Sequence, residues 1–389
     1  MSATSWVETT LGEVAEIVGG ATPKTSVDDY WGGDVYWATP KDLSGLQGAE
    51  IRATSRRLTQ AGLRSCAARV LPPGSVLLSS RAPIGHVAIN SVPMATNQGF
   101  KSLIPDRDRV DAKFLYWWLR RNRAALEAMG TGATFKEISK KTTAAVPIEL
   151  PPIEEQRQIA AVLDAADELR AKRREALAKL GSLAQSIFID MFGNVFDPSQ
   201  FGASQVVLGE LMAASRRSVD PRENPEQVFE LFSIPSYDAG EAALTAGGDI
   251  GSAKPQLQPG DVLLSRIVPH IRRCWVVGAS KGYPQVGSSE WIIFRGSDVV
   301  PEFLQTALLS DSFHPRFMQT VDGVGGSLLR ARPSHVAEIC ISIPPKPQQE
   351  EFAHRAAAVR TSLGRFVSQS ATLDDLFTSL QQRAFRGEL

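Results

Sequence analysis

Apolar and polar positions along this chain fall into two regimes. From Pro152, a residue suited to a helix's first turn, no further proline interrupts the stretch to Gly193. Within it Ile159, Val162, Leu163, Ala166, Leu169, Leu177, Leu180, Leu183, Ile187 and Met191 recur at threes and fours. The stripe is narrow and sustained, which predicts a helical hairpin or coiled coil. A helix of about 38 residues would be roughly 57 Å long. A second such stripe runs through Phe352, Val359, Leu363, Phe366, Leu373, Leu376, Phe377 and Leu380, with Gly364 inside it. That glycine costs about 1 kcal/mol relative to alanine. An exposed apolar seam is unstable alone, so each stripe's natural partner is the other.

The rest of the chain mixes short periods. Val35-Tyr36-Trp37, Val76-Leu77-Leu78 and Val87-Ala88-Ile89 read as strands, and residues 112–129 as a helix carrying Phe114, Leu115, Trp118, Leu119 and Leu126. Thr134-Phe135-Lys136-Glu137 has capping-box form and predicts a further helix start. Val262-Leu263-Leu264 and Trp291-Ile292-Ile293-Phe294 read as strands, and Pro301–Leu309 as a helix.

These elements repeat. Pro151-Pro152-Ile153-Glu154-Glu155-Gln156 returns 193 residues on as Pro344-Pro345-Lys346-Pro347-Gln348-Gln349, and Gly130–Thr134 returns at the same offset as Gly323–Ser327. Pro73-Gly74-Ser75-Val76-Leu77-Leu78-Ser79 returns as Pro259–Ser265, offset 186, and Leu11-Gly12-Glu13 as Leu208-Gly209-Glu210, offset 197. A constant offset late in each unit with drift before it indicates duplicated modules with loop insertions. The expected fold is α+β: two similar domains at residues 1–150 and 194–343, each followed by a long helix at 151–193 and 344–389. The helices pair as an antiparallel coiled coil with pseudo-two-fold symmetry.

Composition narrows the class. The chain has 389 residues, 43% of them hydrophobic and 22% charged, as in an ordinary soluble globular protein. No apolar run spans a membrane, and the N-terminus lacks a secretory pattern. Cys66, Cys274 and Cys340 lie far apart and read as reduced thiols of a cytoplasmic protein. Lysine and arginine (42) balance aspartate and glutamate (42), which leaves nucleic-acid binding open. Charge is distributed unevenly, however: Arg52, Arg56, Arg57, Arg64 and Arg69 share one stretch with only Glu50 nearby.

Catalytic signatures are missing from the sequence. It has no G-x-G-x-x-G after a strand and no G-x-x-x-x-G-K-[ST]. Asn224-Pro225 is followed by Glu226-Gln227 and not by the aromatic expected of an adenine methyltransferase loop. His86, His270, His314, His335 and His354 lack paired ligand spacing, and no E-x-K triplet occurs. The pattern fits a reader with neither a catalytic nor a metal site.

An ordered set of motifs then resembles a known family. Gly19-Gly20-Ala21-Thr22-Pro23-Lys24-Thr25, Tyr30-Trp31, Trp37-Ala38-Thr39-Pro40-Lys41-Asp42-Leu43, Asn97-Gln98-Gly99-Phe100 and residues 147–159 stand in the first half. Met191-Phe192-Gly193 with Asp197-Pro198 resembles the family's junction after the first helix, and Phe385–Leu389 its ending. The chain resembles the specificity subunit of type I restriction-modification enzymes. The resemblance implies a non-catalytic reader whose two target-recognition domains each take one half of a split, asymmetric site in double-stranded DNA. It also implies two adenine methyltransferase subunits docked on the paired helices, and restriction motor-nuclease subunits as further partners. The chain itself would bind no cofactor; S-adenosylmethionine would enter with the methyltransferase, and ATP and Mg with a restriction partner. The second half departs from the pattern: Ser288-Ser289-Glu290 replaces Asn97-Gln98-Gly99, and no counterpart of Gly19–Thr25 stands near Arg216-Arg217-Ser218.

DNA contacts need cations for phosphates and cationic or amide side chains for base edges. In turn-rich segments these are Lys24, Arg52, Arg56, Arg57 and Arg81 in the first module, and Arg216, Arg217, Arg266, Arg272 and Arg273 in the second. The duplicated Gly-rich loop leads into Lys136, Lys140 and Lys141, and into Arg330 and Arg332. It reads equally as a phosphate clamp or as plain helix caps at Thr134 and Ser327. Helix pairing falls to Ile159, Leu163, Ala166, Leu177, Leu180 and Ile187 against Phe352, Val359, Leu363, Phe366, Leu376 and Leu380. Two other readings remain: a reader serving a methyltransferase-based defence complex without a restriction motor, and a coiled-coil scaffold that ignores DNA.

Overall fold

The computed structural model describes residues 6–46, 48–81, 83–132, 136–197, 199, 205–213, 217–322 and 329–389. The chain forms two compact units: Met1–Arg174 with Gln369–Leu389, and Glu175–Ser368. Two long helices, Ile153–Phe192 and Lys346–Ala384, contribute one end to each unit. Gly181 and Gly364 both lie within these helices with open space around them, so neither position is needed for close approach.

In the first unit a five-stranded sheet has the order Ala15–Gly19, Lys101–Pro105, Val76–Leu78, Val87–Asn90, Glu50–Ile51. Its neighbours are antiparallel except the last pair. A second sheet places Trp31–Ala38 between antiparallel Arg56–Leu58 and parallel Met94–Thr96. One side of the first sheet is covered by the helix Ala112–Arg121, whose Phe114, Leu115, Trp117 and Leu119 are buried with Val76, Leu78, Ile159 and Leu163. The helix expected over 112–129 is two: it breaks at Asn122, whose side-chain amide donates to the Trp118 carbonyl at 2.9 Å, and resumes at Arg123–Ala128. The end of the second long helix completes this core through Phe377, Ala384 and Phe385.

The second unit repeats the plan with different residues. Val262–Ser265 lies between Cys274–Val276 and Trp291–Phe294, all antiparallel. Val228–Phe232 lies between antiparallel Ala243–Ala246 and parallel Gln285–Gly287. A helix at Pro301–Leu309, as the sequence predicts, packs on the sheet. Phe188 and Phe192 of the first long helix meet Phe303 and Phe352, with ring centroids 5.2–5.8 Å apart. Truncating one such buried ring costs about 3–5 kcal/mol. Phe188→Ala should therefore lower the unfolding temperature of the second unit while leaving amide-exchange protection in the first unchanged.

Two duplicated contacts show how closely the local structure repeats. Gly12 and Gly209 are the second residues of equivalent short helices, and a Cβ added at either would meet the Cβ of Ala144 at 2.8 Å or of Ala337 at 3.1 Å. Gln156 and Gln349, 193 residues apart, are both fully buried. Gln156 accepts from the Asp111 amide (2.9 Å) and donates to the carbonyls of Arg109 (3.0 Å) and Pro151 (2.9 Å). Gln349 accepts from Val300 (2.8 Å) and donates to Asp298 (3.3 Å) and Pro344 (2.7 Å). Each glutamine thus ties the start of its long helix to the start of the helix that covers its unit's sheet.

The helix seam departs from the expected one in part. Ile159, Leu163 and Phe352 are buried, and Ala166, Leu177, Leu180, Ile187, Val359, Leu363, Phe366 and Leu380 are half-buried. Leu376 is a correction to the expected seam, being 59% exposed. Its neighbour Phe377 takes the inward position, against Trp117 at 5.7 Å and beneath Arg170 at 4.2 Å. In the first unit Arg170 pairs with Asp374 and Arg173 with Ser370, so these helix segments run antiparallel.

A duplicated candidate nucleic-acid interface

Three segments converge at the same place in each unit. In the first, the Ser80 amide donates to the Gly99 carbonyl (2.7 Å) and the Ile138 amide to the Ser80 carbonyl (2.9 Å). In the second, the Arg266 amide donates to Glu290 (3.0 Å) and the Ala331 amide to Arg266 (2.8 Å). An isolated β-bridge joins Arg81 to Glu137 in one unit and Ile267 to Arg330 in the other. These bonds make Ser80 equivalent to Arg266, Gly99 to Glu290 and Glu137 to Arg330.

On this shared frame the charged side chains differ, yet they arrive at the same device. Glu137 binds Arg81 at 2.8 Å and Lys101 at 2.9 Å. Glu290 binds Arg330 at 3.1 Å and lies 3.8 Å from Arg266, whose buried Nε has no hydrogen-bond partner. In each unit one half-buried carboxylate lies against two cations, but that carboxylate comes from non-equivalent segments. The hydrogen-bonded contacts of Arg81, Lys101 and Arg330 fix long side chains that would otherwise lose rotamer freedom on binding, whereas Arg266 is drawn in by charge alone. Sequence reasoning named Arg81, Arg266 and Arg330 and missed Lys101, Glu137 and Glu290. The available signal was the 193-residue offset, which sets Glu137 against Arg330.

The predicted capping box at Thr134–Glu137 is corrected. Glu137 is extended and bridged to Thr131 and Arg81, and the helix begins at Lys140 under a Ser139 cap. The local capping signal loses to the tertiary bridge. Burial raises the Glu137 pKa, but hydrogen bonds from Lys101 and Arg81 outweigh it and hold the carboxyl below its usual range. Because folding lowers this pKa, the clamp's contribution is complete above the unfolded value, about 4.3. It is lost as pH falls through the lowered value. DNA affinity should accordingly show no step from this clamp between pH 6 and 8, as a binding titration across that range would show.

Arg56 lies over the Trp31 ring at 3.4 Å, and Trp31 meets Trp37 edge-on at 5.0 Å. Arg57 lies over Tyr36 at 4.4 Å and donates to its hydroxyl at 3.3 Å. Both arginines are exposed on the strand Arg56–Leu58, on an aromatic shelf that orders them without neutralising them. Arg52 is paired with Glu50, Arg272 with Asp311 and Arg273 with Asp238. Lys24, Lys136, Lys140, Lys141, Arg217 and Arg332 are exposed. Arg216, Thr134 and the loop Gly323–Ser327 lie outside the described residues. Lys140 and Lys141 open a five-residue helix, too short to carry a phosphate clamp of its own. Among the described residues no cluster of three or more His, Cys, Asp or Glu side chains could hold a metal, and no helix is long and apolar enough to cross a membrane.

Comparison with known proteins adds the family. Residues 4–179 match the family described as type I restriction modification DNA specificity domain. The first half of this chain is similar to a type I specificity domain. The MjaIX specificity subunit of Methanocaldococcus jannaschii is 37% identical over 193 residues, 49% of this chain and 44% of that protein. The chain thus spans less than half of that relative's length in the match. The MjaVIII specificity subunit of the same organism is 21% identical over 91% of this chain and 86% of its own. A chain solved in work on complex assembly and conformational transition of the type I R-M system superposes with a TM-score of 0.60 at 18% identity, covering 99% and 98% of the two chains. That likeness shows that the fold is shared over the whole length. The Arg81–Glu137–Lys101 clamp falls inside the matched specificity domain, and the second unit repeats its backbone frame outside the match.

Proposed function

We propose that this chain is the non-catalytic DNA sequence-specificity subunit of a type I restriction-modification complex. The observation that carries the reading is the duplicated junction: one backbone frame, used twice, with a different charged set on each copy. A device that reads an asymmetric, bipartite site needs that combination, since equal frames presenting equal side chains would read equal half-sites. Each unit takes one half-site as a target-recognition domain, with Arg56, Arg57, Arg81, Arg266 and Arg330 among the groups facing DNA. Adenine methyltransferase subunits dock on the paired long helices and bring S-adenosylmethionine with them. Restriction motor-nuclease subunits, where they join, bring ATP and Mg. The complex works in the cytoplasm, where chromosomal and invading DNA are both within reach.

Methylation mapping of host DNA with and without the gene tests the proposal. The expected result is a modified adenine in a split, asymmetric motif that disappears on deletion. A scaffold that ignores DNA would leave the methylation unchanged, and the purified chain would show no steep loss of DNA binding with added salt. Inserting four residues beside Lys172 should lengthen the gap between half-sites while changing neither.

A further inference from the structure

We propose that a basic cavity in the first unit, lined by none of the junction's charged residues, is a phosphate-binding site. The cavity has a volume of about 380 Å³ and is lined by Arg120, Arg123, Arg170 and Arg174, with His86 and a single carboxylate, Asp167. That carboxylate is already engaged, 3.0 Å from Arg170 and 3.9 Å from Arg120. Arg170 also pairs with Asp374. Among the described residues no carboxylate lies within salt-bridge reach of Arg123 or Arg174, and both are exposed. Four guanidinium groups against two spent carboxylates, Asp167 in the lining and Asp374 on Arg170, leave a surplus of positive charge in a concave, partly enclosed space, where field lines are focused.

The cavity is organised beforehand. Arg120 donates to the Tyr116 hydroxyl at 2.8 Å and lies over the Trp117 ring at 4.9 Å, so its guanidinium is fixed. Gly85 has φ +86°, and a Cβ there would come within 2.6 Å of the Arg123 Cγ. Both the backbone conformation and the close approach require glycine, and together they let the Arg123 stem lie against the chain. His86 is held below its usual pKa by burial and then by the Arg123 charge, in keeping with a positive potential.

The lining also limits the ligand. Its aromatic residues are Tyr116, 2% exposed, and the half-buried His86, so no large open ring is available for a base to stack on. The chemistry suits phosphate oxygens and not a nucleobase. Their source is either the DNA backbone, which rests on the function proposed above, or a free phosphate compound, which does not.

The test compares the full chain with Arg123→Gln/Arg174→Gln and with the charge-keeping Arg123→Lys/Arg174→Lys. Two readouts are taken: the salt dependence of binding to a non-specific duplex, and the rise in melting temperature with inorganic phosphate at constant ionic strength. If the DNA backbone is the source, the glutamine variant flattens the log–log salt slope by about 1 to 2, since each phosphate contact contributes about 0.9, and the lysine variant retains it. If a free phosphate is the source, phosphate raises the melting temperature of the wild type and the lysine variant only, and the salt slopes coincide. A wild type that fails to bind DNA would sink the DNA-reading function but leave the phosphate readout to decide the cavity. Coinciding salt slopes without phosphate protection would overturn the proposal. If the glutamine variant then also lost its methyltransferase partner, the cavity would be an acidic protein segment's seat instead.

Discussion

Gln156→Leu should melt the first unit well before the second. The substitution keeps the volume roughly constant but removes three buried hydrogen bonds, to the Asp111 amide and the carbonyls of Arg109 and Pro151. A buried polar group left unsatisfied costs about 1–3 kcal/mol, so the total is on the order of 3–9 kcal/mol, a large share of a typical domain's 5–15 kcal/mol. For a unit of this size each kcal/mol moves the midpoint by roughly 2–4 °C. Calorimetry should thus show the first unit's transition falling by about 6 °C or more, with amide exchange assigning it. Gln349→Leu should do the same to the second unit only. Equal shifts in both units, or none, would remove the glutamines from this structural role.

The second large effect concerns the Arg266–Glu290–Arg330 clamp. Arg266→Ala with Arg330→Ala removes two candidate DNA contacts, each worth about 1–3 kcal/mol if it reaches a base edge. It also leaves Glu290 unpaired on a surface that must approach phosphates. Binding should weaken by roughly 2–6 kcal/mol in total, enough to abolish methylation at the native motif. Adding Glu290→Gln to the double variant should restore part of the affinity, because the uncompensated carboxylate is then gone; coupled neighbours are not additive. A duplex-binding cycle across the single, double and triple variants measures this. Strictly additive losses would show that Glu290 does not organise the pair.

Much of this architecture is legible in the sequence, and the reasons can be given residue by residue. The long helices announce themselves because few structures besides a long, partnered helix sustain an apolar stripe for 40 residues. Pro301–Leu309 is plain because proline marks its first turn. The inward positions are less so. Phe188 is buried where the stripe suggests its neighbour Ile187, and of the stripe's adjacent Leu376 and Phe377 only Phe377 turns inward, because each helix end packs on a globular core as well as on its partner. The carboxylate clamps are hidden for a different reason. Glu137 reaches back 56 residues to Arg81 and 36 to Lys101, and Glu290 lies 40 residues from Arg330. Nothing in local periodicity links such positions. Even the duplication conceals them, since the carboxylate comes from a different segment in each unit.

Independent reading by the two units is best tested by exchanging one of them. Residues 1–150 would be replaced by the equivalent segment of another specificity subunit, and the methylated motif mapped in cells that supply the methyltransferase. The expected result is a new sequence in one half of the motif, with the other half and the gap between them unchanged. A change in both halves would rule out modular recognition, because the two units would then not read independently.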